Sequence, residues 1–150
     1  MTPISTTADW SAYGDQESGR FGDWVSSAGD VNGDGYDDIL VGTQYYDNGQ
    51  VDEGRIYLYL GSASGPSETP NWTDESDQDY GYMGYRFAPA GDINGDGYDD
   101  VVIGADGYDG GETDEGRAFV YYGSEYGLPA TPDSWLEIDV ANAWFGAKSS

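Results

Sequence analysis

Residues 29–42 read GDVNGDGYDDILVG, and residues 91–104 repeat them almost letter for letter as GDINGDGYDDVVIG. The two copies lie 62 residues apart, and the same offset relates Gly22 to Gly84. Because the period extends beyond the copied stretch, the chain contains a repeated structural unit and not only a repeated motif.

Each copy places oxygen-bearing side chains at positions one, three, five and nine of a short loop, and position seven would add its backbone carbonyl. The predicted ligands are Asp30, Asn32, Asp34, the Tyr36 carbonyl and Asp38 in one loop, and Asp92, Asn94, Asp96, the Tyr98 carbonyl and Asp100 in the other. Calcium takes about six to eight oxygen ligands, and a tight loop can turn carboxylates on alternate residues toward one centre. Position six is Gly35 or Gly97, where the chain must reverse. The spacing predicts about one calcium ion per complete repeat.

An EF-hand opens with the same pattern, but it requires an acid at position twelve and a helix on each side. Position twelve is Val41 or Ile103 here, and the residues after each loop are apolar and β-branched up to a glycine. That pattern predicts a buried strand, so the EF-hand and dockerin interpretations fail. The alternative is a pair of acidic Asx-turns, which Asn and Asp form between strands without metal.

Charge limits the partners of the chain. Its 150 residues include 5 Lys and Arg against 29 Asp and Glu, a net charge of −24. This charge repels nucleic acid phosphates and anionic membrane surfaces, so neither is expected as a partner. High charge with 24 glycines is also typical of disorder. The 14 tyrosines, 5 tryptophans and apolar runs favour a folded core instead.

The compartment is predicted from the loops. Their modest number of carboxylates fits millimolar calcium, which favours an extracellular or cell-surface location. The chain has no cysteine, which excludes disulfides and thiolate chemistry. Residues 1–5 lack the basic start and apolar run of a signal peptide, and no stretch has membrane-spanning length.

Each unit is predicted to contain four short strands separated by turns. The predicted strands cover residues 23–29, 38–43, 54–60 and 70–75 in the first unit, and 85–91, 100–105, 117–122 and 133–139 in the second. Aliphatic and aromatic side chains alternate along the third strand of each unit, which favours packing over a ligand-binding role for its tyrosines.

Long polar loops join the second and third strands, over residues 44–53 and 106–115, and both end in Asp-Glu-Gly-Arg. They combine aromatic and acidic side chains, namely Tyr45, Tyr46, Asp47, Asp52 and Glu53, and Tyr108, Asp109, Glu112, Asp114 and Glu115. Recognition sites usually lie on loops of this kind. The alternative is that they are solvated connectors.

Both ends of the chain contain partial units. Residues 8–22 match the close of a unit, from Trp10 through Phe21. Residues 135–146 match it again, from Trp135 through Phe145, with one residue fewer.

Phe21-Gly22, the acidic loop after Gly29, and an apolar strand ending Val41-Gly42-Thr43 resemble the FG-GAP repeat of integrin α-subunit β-propellers and related proteins. Met83, where the motif has phenylalanine, departs from it. The resemblance implies an all-β fold of four-stranded antiparallel propeller blades, two complete per chain with partial units at both ends. It also implies that calcium in the loop between the first two strands of a blade holds that turn.

The resemblance divides the chain into four parts. These are the closing strand of a preceding partial repeat over residues 1–22, a first blade over 23–84, a second over 85–146, and a tail over 147–150. A blade buries its faces only against neighbouring blades, so two blades alone would expose apolar faces. We therefore expect either a longer parent chain or self-association of several copies into a closed ring, and favour the second.

Three classes of function are open. We expect a calcium-stabilised, non-enzymatic scaffold for extracellular recognition or adhesion, with a protein or glycan ligand. The alternative is a lectin, because some FG-GAP-like propellers resemble fungal lectins, and Trp and Tyr beside Asp and Asn suit sugar binding. An enzyme with paired carboxylates is the least expected, since the chain has no histidine or cysteine and its most ordered acids are assigned to metal.

Overall fold

The computed structural model describes residues 8–145, in which all regular secondary structure is β-strand. The strands are β1 Trp24–Gly29, β2 Asp38–Thr43, β3 Arg55–Tyr59, β4 Trp72–Glu75, β5 Arg86–Gly91, β6 Asp100–Ala105, β7 Arg117–Tyr121 and β8 Ser134–Glu137. All eight predicted strands are present, with ends displaced by at most two residues. Predicted boundaries at residue 146 and over 147–150 lie outside the described residues. The described part of the chain contains no helix with the length and apolarity needed to cross a membrane.

Each unit forms one antiparallel sheet whose strands follow sequence order, β1-β2-β3-β4 in blade 1 and β5-β6-β7-β8 in blade 2. The registers repeat, since Val41 pairs with Tyr57 in one blade and Ile103 pairs with Phe119 in the other. The predicted all-β fold of four-stranded blades is therefore confirmed.

The main core lies between the two sheets. It contains Leu40, Ile56 and Leu58 from blade 1 and Val101, Ile103, Phe119 and Tyr121 from blade 2. Because side chains alternate along a strand, Val41, Tyr57 and Tyr59 lie on the opposite face of blade 1, in a second apolar cluster. Both faces of the third strand of blade 1 are thus covered, and the prediction that its tyrosines pack is confirmed.

The N-terminal segment, residues 8–23, covers that second face of blade 1. The Trp10 ring meets Tyr59 edge-on at 5.2 Å, and Phe21 meets Tyr57 at 5.3 Å. Residues 8–22 contain no β-strand, so the predicted closing strand is not formed in the described part of this segment. Its assignment to a preceding repeat stays a prediction.

Blade 2 is covered in the same way by residues that precede it. The Trp72 ring meets Tyr121 edge-on at 5.2 Å, and Trp72 Nε1 donates to the Pro129 carbonyl at 2.8 Å. In blade 1, Trp10 Nε1 donates to the Ser67 carbonyl at 3.0 Å. Each blade therefore receives its tryptophan from the part of the chain that precedes it.

The prediction that Trp135 takes the place of the tryptophan at the close of a unit is wrong, and Trp72 of blade 1 shows why. Trp72 pairs with Leu58, and the equivalent position opposite Val120 is occupied by Ser134. Trp135 lies one residue later, and a shift of one residue moves a side chain to the other face of a strand. Its ring is 53% exposed. The strand pairing has the same register in both blades, so blade 2 lacks no residue here. Only the position of the tryptophan along the strand differs.

Candidate metal centres

The two acidic loops connect the first and second strands of their blades. We call them loop 1, residues 30–38, and loop 2, residues 92–100. The glycine at position six has a left-handed backbone in both, with φ of 91° at Gly35 and 97° at Gly97. This conformation disfavours any side chain with a Cβ, which explains the glycine at the reversal.

Three side chains of loop 1 direct their oxygens toward the amides of the same turn. The Asp34 amide donates to Asp30 Oδ1 at 3.0 Å and to Asn32 Oδ1 at 3.1 Å. The Gly35 amide donates to Asp30 Oδ2 at 2.8 Å, and the Tyr36 amide to Asp34 Oδ1 at 3.0 Å. Positions one, three and five are thus brought together.

Loop 2 repeats this arrangement closely. The Asp96 amide donates to Asp92 Oδ1 and to Asn94 Oδ1, both at 3.0 Å. The Gly97 amide donates to Asp92 Oδ2 at 2.9 Å, and the Tyr98 amide to Asp96 Oδ1 at 3.0 Å. The close agreement between the two sets of distances shows that the loop sequence specifies this geometry locally.

Position nine is a buried anchor in both loops. Asp38 Oδ2 accepts a hydrogen bond from the Val31 amide at 2.9 Å, and Oδ1 accepts one from the Gly61 amide at 2.8 Å. Asp100 makes the corresponding bonds to the amides of Ile93 and Gly123, both at 2.9 Å. Each carboxylate ties its loop to the turn after the third strand, and each oxygen retains a second lone pair.

Burial raises the pKa of Asp38 to about 6, and the negative charges of Asp34 and Asp30 add to the rise. The cause is a carboxylate removed from water and placed beside like charges. A bound divalent cation would offset both effects.

The donor set of the loops consists of oxygens, as a hard cation requires. In the described residues, however, the carboxylates of these loops do not form a group of three with oxygens within 4.8 Å of one another. Asp38 and Asp100 instead accept hydrogen bonds from backbone amides. The complete ligand set predicted for each loop therefore stays a prediction.

The tyrosines at position seven have different surroundings. The Tyr36 ring is 44% exposed. The Tyr98 ring is partly buried and packs against Gly33 of loop 1, where an added Cβ would lie 2.7 Å from the ring. Tyr98 thus joins the two loops through its side chain.

Backbone contacts also join loop 1 to blade 2. The Asp30 amide donates to Asp99 Oδ2 at 2.9 Å, and the Asp99 amide donates to the Asp30 carbonyl at 3.0 Å. The Val31 carbonyl accepts from the Ser124 amide at 3.0 Å, and the Val31 side chain is fully buried. Loop 1 is therefore part of the contact between the blades, whereas Ile93, the counterpart of Val31 in loop 2, is 55% exposed.

A separate acidic group lies where β4 ends. Glu53, Glu75 and Asp77 each place one carboxylate oxygen within 4.8 Å of the other two. Glu53 was predicted only as a residue of the long loop, and neither Glu75 nor Asp77 was among the predicted site residues. The sequence feature that could have indicated this group is the Asp-Glu-Gly-Arg end of both long loops. Its glutamate comes two residues before a buried strand, and it is fully buried in both blades.

The long loops contribute to a cavity of about 260 Å³. It is lined by Gln44, Tyr45, Tyr82, Tyr85, Asp106 and Trp144. Burial raises the pKa of Asp106 to about 6, although the Arg86 guanidinium opposes the rise. Asp106 Oδ1 is buried without a hydrogen bond from the described residues. Aromatic rings and a carboxylate therefore share one concave site.

The comparisons with known proteins agree with this geometry. The FG-GAP repeat family matches residues 21–59 and 83–121. The chain is 37% identical over 132 residues to integrin alpha-IIb of Mus musculus, and 36% identical over 129 residues to integrin alpha-5 of Xenopus laevis. Each match covers 83% of this chain and 12% of the relative.

Integrin alpha pat-2 of Caenorhabditis briggsae is 40% identical over 97 residues, which is 61% of this chain and 8% of that protein. The chain thus spans only about an eighth of the length of the first two relatives. The two matched segments coincide with the repeats seen in the structure, each running from the residue before Gly22 or Gly84 to the end of the third strand of its blade. On this evidence, the chain belongs to the FG-GAP repeat family.

Proposed function

We propose that this chain is a calcium-stabilised β-propeller segment that serves as an extracellular or cell-surface scaffold for recognition or adhesion, without enzymatic activity. The observation that carries the proposal is the shared geometry of loops 1 and 2. In both, three side chains at alternate positions direct oxygens toward one turn.

Calcium suits these loops for electrostatic reasons. Each loop concentrates acidic side chains in a chain whose net charge is −24, and position nine is buried beside them. Like charges held this close destabilise the fold unless a cation is bound among them. Two ions, about one per complete repeat, would offset four of these charges. The proposed ligands are the side chains at positions one, three, five and nine of each loop and the backbone carbonyl at position seven.

The cavity of about 260 Å³ supports the recognition role. Tyr45, Tyr82 and Tyr85 contribute aromatic side chains to its lining, and Gln44 and Asp106 contribute polar side chains. Concave sites of this kind, mostly aromatic with a few placed polar groups, are typical of ligand binding. We propose it as the contact site for a protein or glycan ligand.

The same cavity favours a lectin as the second candidate function, because sugars stack on aromatic rings and hydrogen-bond to carboxylates. A glycan array separates the two. Retention of a defined sugar that is lost in Asp106→Asn would support the lectin, and an array without retained sugars would favour a protein ligand.

The outer face of blade 2 supports ring closure. Ala88 is exposed and Leu136 is 59% exposed there, whereas their counterparts in blade 1, Ser26 and Asp74, are partly buried. A further blade would cover this surface, as blade 2 covers blade 1. We propose that this blade comes from a second copy in a ring or from a longer parent chain.

Calcium titration calorimetry tests the proposed metal loops. We expect Asp34→Asn and Asp96→Asn each to lose one bound ion, because each change removes a charged ligand from one loop. Asp37→Asn is the matched control, since Asp37 is an exposed residue of loop 1 outside the ligand set. Equal stoichiometry in the original protein and all three variants would overturn the proposal and favour metal-free Asx-turns.

A further inference from the structure

We propose that blade 1 contains an additional cation site, separate from loops 1 and 2, formed by Glu53, Glu75 and Asp77. One carboxylate oxygen of each lies within 4.8 Å of the other two, which no other group of three acidic residues in the described chain achieves. The site lies where the long loop enters β3 and where the chain leaves β4. It would take one divalent cation that prefers oxygen ligands.

The decisive residue is Glu53, whose side chain is fully buried. Its Oε1 accepts a hydrogen bond from the Asn48 amide. Its Oε2 is also buried and has no hydrogen-bond partner among the described residues. Buried polar groups are rarely left without a partner, and a buried carboxylate oxygen without one is costly. A cation between the three carboxylates would supply that partner.

The neighbouring arginine does not neutralise Glu53. Arg55 Nε donates to Glu75 Oε1 at 2.6 Å, and Arg55 Nη1 donates to the Tyr46 hydroxyl at 2.7 Å. The guanidinium is thereby committed to Glu75 and the tyrosine. Burial raises the pKa of Glu53, and the charges of Glu75 and Asp77 raise it further. Glu53 and Asp77 are therefore left without a salt bridge among the described residues.

The site is open to solvent at Asp77, which is exposed, and a cavity of about 210 Å³ lies beside the same turn. Glu75 and Asp77 line it, together with Asp74 and Ser76. Because Asp77 is exposed, water can complete the shell of an ion held there. Calcium tolerates an incomplete protein shell completed by water and an irregular arrangement of oxygens, so it fits better than a cation that demands strict octahedral geometry.

Blade 2 provides a natural comparison. Glu115 is fully buried there, and its Oε2 also has no partner among the described residues. Glu137 and Asp139 take the positions of Glu75 and Asp77, but these three residues do not bring oxygens within 4.8 Å of one another. The site is therefore specific to blade 1 within the described part of the chain.

The turn after β4 explains the difference. Ser76 Oγ donates to the Glu53 carbonyl at 2.8 Å and fixes the chain where it passes Glu53. Ile138 stands in the position of Ser76 in blade 2, and its side chain has no hydrogen-bond donor. The serine is thus a positioning residue for Asp77.

The test uses Asp77→Asn, with Asp139→Asn as the matched control. Asp77 has a φ of 54°, a left-handed conformation that asparagine tolerates well, so the variant should fold. Both changes are made in a background carrying Asp34→Asn and Asp96→Asn, which isolates the site from loops 1 and 2. Terbium luminescence and calcium displacement report on binding, and circular dichroism on folding.

We expect the background protein and its Asp139→Asn derivative to bind one terbium ion that calcium displaces, and the Asp77→Asn derivative to lose it. Glu53→Gln should lose it as well, because the change removes the charge but keeps the shape. Terbium binding that is unchanged by Asp77→Asn would overturn the proposal, as would the absence of binding in a folded background protein. Because loops 1 and 2 are disabled, either failure is distinct from a failure of the proposed calcium loops.

Discussion

Loops 1 and 2 have almost the same sequence and the same internal hydrogen bonds, yet they have different neighbours. Val31 of loop 1 is fully buried, while Ile93 at the same position of loop 2 is 55% exposed. Asp30 of loop 1 donates its amide hydrogen to the carboxylate of Asp99 in loop 2 and accepts a hydrogen bond from the Asp99 amide. Within the described residues, loop 2 has no further blade beside it. The loop sequence encodes the turn, and the adjacent blade determines whether the turn also joins two blades.

The same loop motif therefore has two roles: it forms a turn within its own blade, and in loop 1 it also contacts the next blade. At position two, a change should affect the contact between blades in loop 1 (Val31) and only its own blade in loop 2 (Ile93). At position eight the order is reversed, because Asp99 of loop 2 contacts loop 1 and Asp37 of loop 1 is exposed. In repeat proteins the stability is approximately the sum of terms within repeats and terms between neighbours. Making the same substitution at equivalent positions of loops 1 and 2 can therefore separate the stability within a blade from the stability between blades.

The largest expected contrast is between Val31→Asp and Ile93→Asp. The first places an unpaired charge in a fully buried contact and should lower the free energy of unfolding by roughly 3 to 5 kcal/mol. The second is exposed and should change it by less than about 0.5 kcal/mol. Urea denaturation at saturating calcium measures both. Equal losses would contradict the assignment of loop 1 to the contact between blades.

A second contrast concerns the residues that follow β2 and β6, where Gln44 of blade 1 corresponds to Asp106 of blade 2. Burial raises the pKa of Asp106 from its ordinary value of 3.8 to about 6, while the neighbouring Arg86 lowers it. The folded state therefore binds a proton more tightly than the unfolded state. The resulting stabilisation is complete below pH 3.8 and is lost as the pH rises through about 6.

Asp106→Asn should remove this dependence. Relative to the variant, the original protein should lose about 2.5 kcal/mol of stability between pH 4 and pH 7.5, because the rise in pKa corresponds to roughly 3 kcal/mol in full and part of that is already lost at pH 4. Urea denaturation of both proteins across this range gives the difference directly. Two parallel pH profiles would show that Asp106 is not buried as described.

The smallest expected contrast is between Asp99→Ala and Asp37→Ala. Asp99 Oδ2 accepts a hydrogen bond from the Asp30 amide across the blades, so its loss should cost about 1 to 2 kcal/mol. Asp37 is exposed at the equivalent position, and its loss should cost less than about 0.5 kcal/mol. Thermal unfolding detects the difference. A larger effect for Asp37 would reverse the order of the two loops and refute the comparison.

Local spacing predicted most of the fold. The repeat, the eight strands and the glycine reversals depend on contacts between residues close in sequence, such as the Asp34 amide with Asp30 and Asn32. The alternation of aliphatic and aromatic side chains along β3 was sufficient to predict that its tyrosines pack.

Features that depend on neighbouring strands were not predicted. Trp135 lies one residue after the position that corresponds to Trp72. Only the strand pairing shows that its ring therefore lies on the other face of the sheet. The group of Glu53, Glu75 and Asp77 joins residues from a loop, a strand end and a turn, so no short pattern contains it. Residues 8–22 resemble the close of a repeat but form no strand, since pairing requires a partner as well as a pattern.

The covering of each blade by preceding residues has a consequence for synthesis on the ribosome. Trp10 and Phe21 are translated before Tyr57 and Tyr59, and Trp72 before Tyr121. When the third strand of a blade leaves the exit tunnel, the aromatic side chains that will shield its apolar face are already outside. Each apolar face can thus be covered as it emerges, and nascent chains on adjacent ribosomes have little time to bind it.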